Sequence, residues 1–85
     1  MTKKYNGATM GLTGAEFEVF AIIADRTNKG QTTNSGKLVE AWGNKNRSYA
    51  YRVVMRLVLK GFVEVYDTNF YRITDEARKH VVKNI

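Results

Sequence analysis

Apolar residues follow two different rhythms along the chain, and the change of rhythm divides it into elements. Phe17, Phe20, Ala21 and Ala24 recur at i, i+3, i+4 and i+7, the repeat of one helix face, and Val19, Ile22 and Ile23 widen that face. Leu38, Ala41 and Trp42 repeat the helical spacing over a shorter stretch. Ala50, Val53, Val54, Leu57 and Val58 give the fullest stripe, with Ser48, Tyr51, Arg52 and Met55 opposite it. After Gly61 the pattern turns to near alternation. Phe62 to Tyr66 and Phe70 to Thr74 are β-branched and aromatic, and Asp67-Thr-Asn69 between them is short enough for a hairpin. Helical spacing returns in Ala77, Val81 and Ile85, with Val82 alongside.

Local signals place the boundaries. Thr13-Gly-Ala-Glu16 reads as a capping box, with Leu12 and Phe17 at hydrophobic-staple spacing, and Gly30 fits a left-handed stop. A second helix is expected from Thr33 or Asn34 to Trp42, ended by Gly43. Asn46 is the expected cap of a third, Arg47 to Leu59, ended by Lys60-Gly61. Thr74 caps a last helix whose first turn holds Asp75 and Glu76 and whose later part holds Lys79, His80 and Lys83, as the helix dipole favours. The expected fold is mostly α with a small β-hairpin, in the order helix, helix, helix, strand, strand, helix. It fills one domain, residues 12–85, behind a flexible basic arm, residues 1–11, that carries Lys3 and Lys4.

Composition narrows the function. With 85 residues there is room for one domain and one modest core. The absence of cysteine excludes disulfides and thiolate metal sites. No apolar run approaches the roughly 18 residues of a membrane span, and the first residues lack the apolar middle of a signal peptide, so the expected location is the cytoplasm, away from membranes. The sequence offers no nucleophile–base pair, no glycine-rich phosphate loop and no metal-ligand spacing; neither enzymatic activity nor a cofactor is expected. The net charge of +6 calls for an acidic partner. Its main source is local: between Glu40 and Glu64 there is no acid, and there are five bases, Lys45, Arg47, Arg52, Arg56 and Lys60.

Leu38-Val-Glu-Ala-Trp-Gly43, Tyr51-Arg-Val-Val-Met-Arg-Leu-Val-Leu-Lys-Gly-Phe-Val-Glu-Val65 and Tyr71-Arg-Ile-Thr-Asp-Glu-Ala-Arg78, in that order, resemble a winged helix-turn-helix domain of the kind found in MarR- and PadR-type bacterial repressors. The likeness covers roughly residues 12 to 82. It implies that helix 47–59 enters the major groove of double-stranded DNA and that the hairpin is the wing. Arg52, central on the outward side, takes the base-edge role, with Ser48, Tyr51 and Met55 near it. Lys45, Asn46, Arg47 and Arg56 flank it, a geometry for phosphates. Thr33, Asn34, Ser35 and Lys37 open the support helix, and Thr68, Asn69 and Arg72 belong to the wing, whose tip carries Asp67 where a Lys or Arg would suit the family.

The expected function is therefore a sequence-specific, nucleoid-associated DNA-binding regulator, probing DNA as a prokaryotic or phage repressor does. Surplus apolar residues, Val19, Ile22 and Ile23 on the first helix and Ala77, Val81 and Ile85 on the last, predict a homodimer through those helices. Two rivals stand beside this reading. One is a winged-helix adaptor or inhibitor, of a phage type, that binds a host regulator, polymerase or nuclease, favoured by Met55 and Leu59 on the wet side of the third helix and by the acidic wing tip at Asp67. The other is a non-specific architectural DNA binder.

Overall fold

The computed structural model describes residues 4–5, 10–43 and 45–82, giving only the backbone of Lys4, Val81 and Val82. The chain forms three helices, then an antiparallel hairpin and a short helix, with a second small strand pair joining its two ends. In chain order these are β1 (Lys4–Tyr5), α1 (Gly14–Asn28), α2 (Ser35–Ala41), α3 (Arg47–Leu59), β2 (Val63–Tyr66), β3 (Phe70–Ile73), α4 (Asp75–Arg78) and β4 (Val81–Val82). None of the described helices is long and apolar enough to cross a membrane.

The helix ends follow from their capping residues. At the start of α1, Glu16 N–H donates to Thr13 Oγ1 (3.4 Å) and Thr13 N–H donates to Glu16 Oε1 (3.1 Å), the reciprocal pair the sequence predicts. Asn34 and Asn46 cap α2 and α3 by accepting from Lys37 N–H (2.9 Å) and Tyr49 N–H (3.0 Å). Gly61 ends α3 with φ of 83°, a left-handed conformation that lets Phe62 N–H reach back to the Leu57 carbonyl (3.0 Å).

The core is built from several elements at once. Val19, Phe20 and Ile23 of α1, Leu38 of α2, Val53, Val54 and Leu57 of α3, and Val63 and Ile73 of the hairpin are fully buried. Burying each such side chain contributes about 1.5–3 kcal/mol. The hairpin pairs Val63 with Ile73, Glu64 with Arg72, Val65 with Tyr71 and Tyr66 with Phe70. Alternation turns Val63, Val65, Tyr71 and Ile73 toward the helices and Glu64, Tyr66, Phe70 and Arg72 outward. Tyr71 N–H donates to the Thr33 carbonyl (2.8 Å), tying the hairpin to the α1–α2 link. Glu16, only 3% exposed, accepts from Lys60 Nζ at 2.6 Å, joining the start of α1 to the end of α3.

Three expectations differ from the structure. The last helix is a single turn, Asp75–Arg78, and Val81–Val82 instead pairs antiparallel with Lys4–Tyr5. The N-terminal segment is accordingly no free arm where it is described: Tyr5 meets Phe20 edge-on (4.8 Å between ring centres) and Met10 is buried. The proposed dimer face also dissolves. Val19, Ile23 and Ala77 are each 0% exposed within one chain, and Ile22 packs against the same core. α1 needs apolar residues on more than one side because it packs against both α3 and β3. The Val81 side chain and all of Ile85 lie outside the described residues.

Candidate nucleic-acid interface

The outward side of α3 is set by the stripe that its inward side buries. With Ala50, Val53, Val54 and Leu57 in the core, the helical repeat leaves Ser48, Arg52, Met55 and Leu59 pointing away from it, flanked by Arg47, Tyr51 and Arg56. The first two turns of α3 and the start of α2 together form an open groove of about 400 Å³ lined by Ser35, Arg47, Ser48, Tyr51 and Arg52. Two guanidinium groups and three hydroxyls thus converge. Ser35 is held in place by a 3.0 Å hydrogen bond between its hydroxyl and that of Tyr71.

A residue that sequence reasoning passed over shapes this groove. Gly36 lies under the Arg47 guanidinium: a Cβ built there would come within 3.3 Å of Arg47 Nη2 and 3.5 Å of Asn34 Oδ1. Its signal in the sequence is the cost of glycine inside a helix, about 0.5–1 kcal/mol relative to alanine. The bareness of position 36 allows Arg47 to lie close over α2.

Electrostatics separates this surface from the rest of the molecule. Elsewhere the cations are engaged. Lys29 pairs with Asp25, Lys60 with Glu16, Arg72 with Glu64, Arg78 with Asp75 and Lys79 with Glu76. Arg26 donates to Thr33 Oγ1 and to the Thr32 carbonyl. Among the described residues, the cationic side chains with neither an ion-pair nor a hydrogen-bond partner are Lys37, Lys45, Arg47, Arg52 and Arg56, all exposed and all on α2, α3 or the turn between them. Lys45 is further placed by Trp42, with Nζ 5.7 Å from the ring centre. Trp42 in turn donates to Glu18 Oε1 (2.9 Å) and stacks on Tyr49 at 5.6 Å.

Several site residues predicted from sequence have other duties. Thr33 is fully buried, its hydroxyl taken by Arg26 and its carbonyl by Tyr71, so it presents nothing to a ligand. Asn34 and Asn46 spend their side-chain oxygens on helix caps. Lys60 is not part of the free cationic set, because Glu16 holds it. Arg72 is tied to Glu64 at 3.1 Å and lies over the Tyr66 ring at 4.5 Å. Thr68 and Asn69 are exposed at the hairpin turn and do not line the groove. There Asp67 and Thr68 have φ of 47° and 71°, the latter a costly conformation for a β-branched residue. Met55 is half-buried and Leu59, one turn further, is 85% exposed.

Comparison of the chain with protein-family models, with curated proteins and with solved structures gives no match.

Proposed function

We propose that the chain is a winged helix-turn-helix protein that binds double-stranded DNA sequence-specifically as a transcriptional regulator, reading the major groove with the first half of α3. The observation that carries this reading is the set of five exposed cations without an ion pair or hydrogen bond gathered on α2, α3 and their connecting turn, while the described lysines and arginines elsewhere whose side chains are placed have such partners. A solvated charged helix needs no such segregation; a polyanion with regularly spaced phosphates makes use of it. Arg52, at the centre of the outward side, serves base edges, since a guanidinium can donate to both O6 and N7 of guanine. Arg47, Arg56, Lys45 and Lys37 serve phosphates, and Ser48 and Ser35 supply hydroxyl donors beside them. The hairpin contributes little to DNA contact, because Arg72 is neutralised and Asp67 at its tip repels phosphate.

A binding-site selection from random duplexes, followed by titration with salt, tests this. The affinity should fall with a log–log slope of about −3 to −4. Arg52→Ala should cost about 1–3 kcal/mol and relax the preference at one base pair, whereas Arg47→Ala and Arg56→Ala should weaken all sequences alike and flatten the slope by about one. Arg78→Ala, which removes a cation already paired with Asp75, is the control and should change nothing. Equal affinity in all four variants would remove the basis of the assignment.

A further inference from the structure

The outward side of α3 changes character along its length. Its first half carries Ser48, Arg52 and the groove; its second half carries Met55 and then Leu59, which at 85% exposure is the most uncovered large apolar side chain among the described residues. Leu59 lies about 16 Å, or roughly three turns, along the helix axis from Ser48, and in a helix seated in the major groove it is the N-terminal residues that contact base edges. It therefore lies beyond the bases when the first turns are seated there. Beyond α3, Val65 is on the helix-facing side of a hairpin whose strand β2 packs on α3, yet it is left 40% exposed, unlike Val63, Tyr71 and Ile73 on that same side.

From these features we infer that the Met55–Leu59 end of α3 docks a second protein through an acidic segment bearing an apolar anchor. The flanking charge selects this occupant. Arg52 and Arg56 border the apolar pair and form no ion pair among the described residues; Arg56 acts on the buried Glu16 only through its charge, since Lys60 holds that carboxylate. A two-fold pairing of this patch with a second copy would gather both pairs of arginines in one interface with no acid between them, a like-charge arrangement that costs several kcal/mol. DNA has the right charge, but it offers an exposed leucine at the far end of the helix little beyond a thymine methyl. Carboxylates around one or two apolar side chains satisfy both halves of the surface, with the apolar anchor burying Leu59 and the acids meeting Arg52 and Arg56. Arg52 would then be shared, so that protein docking and DNA binding compete at that residue.

The test uses a displayed library of random peptides of about 16 residues, or roughly four helical turns. It is selected against the whole chain and counter-selected against Leu59→Gln, a change at so exposed a position that folding is preserved. Enriched peptides should combine Asp or Glu with an apolar pair and should bind the unaltered chain about tenfold more tightly than Leu59→Gln. They should also shift the Met55 and Leu59 methyl resonances. Duplex DNA affinity, measured separately, should be the same for the two proteins, so that failure here leaves the DNA reading standing and failure of DNA binding leaves this one. Peptides that are enriched but indifferent to Leu59→Gln, the absence of enrichment, or self-association of the unaltered chain that Leu59→Gln abolishes would each overturn the docking assignment.

Discussion

At the scale of single residues the most consequential contact is that between Glu16 and Lys60. A carboxylate only 3% exposed is held by a lysine ammonium and closes the capping box of α1. The hydrogen bond from Lys60 is the chief cause that keeps its pKa below the ordinary 4.5; the Thr13 N–H and the charges of Lys60 and Arg56 act in the same direction, and burial opposes them. A carboxylate with a lowered folded pKa contributes stability that is complete above the unfolded value and lost as pH falls through the folded one. In urea titrations the unaltered protein should thus lose stability as pH drops below about 4.5, and Glu16→Gln, less stable at neutral pH, should show a shallower loss over that interval. An identical pH slope in the two would place the acid sensitivity elsewhere. This contact was not legible in the sequence. The capping box could be read because its partners are three residues apart, but the ion pair spans 44. Arg72 and Glu64 likewise meet only through strand register. Counting charges along the chain therefore overstated the free cations of α3 by one, Lys60, and those of the hairpin by Arg72.

Among the elements, the first three helices had readable bounds; for α3, Asn46 and Gly61 signal both ends within a few residues of the helix itself. Asn46 also offers a way to separate folding from binding. Asp is as good a cap as Asn, so Asn46→Asp should alter stability by no more than a few tenths of a kcal/mol. The new carboxylate, standing beside Lys45 and Arg47, should nonetheless weaken DNA binding several-fold; melting and duplex titrations on the same preparation check both halves. Asn46→Ala should do the reverse, destabilising by about 1 kcal/mol. The last helix was misread for a physical reason. Ala77 and Val81 have helical spacing, but the β-branched Val81–Val82 finds a pairing partner in Lys4–Tyr5, far away in the sequence, with Tyr5 opposite Val81 and Lys4 opposite Val82. A local periodicity cannot anticipate that.

For the molecule as a whole, the chief consequence is that the core consumes what a dimer was expected to use. Val19, Ile23 and Ala77 are buried in the core of one chain, which removes them from any surface a second copy could cover. Sedimentation at tens of micromolar should give the mass of one chain, 9.7 kDa, and duplex binding should saturate at one protein per selected site. A two-fold operator with two proteins bound would contradict this. The general arrangement of three helices and a hairpin was legible because each element carries its own periodicity and caps. The division of apolar residues between inside and outside was not, because it depends on how many neighbours each helix has.

The strand pair that joins Lys4–Tyr5 to Val81–Val82 has a bearing on how the chain can be rewired. Adjacent strands lie about 4.8 Å apart, so Lys4 and Val82 stand side by side. A few glycines joining Val82 to Lys4, with new ends cut at the exposed Gly30, should yield a permuted polypeptide with the same melting behaviour and the same α3 surface. If the permuted form melts as the original does, this small domain can be inserted as a cassette into a loop of an unrelated host protein.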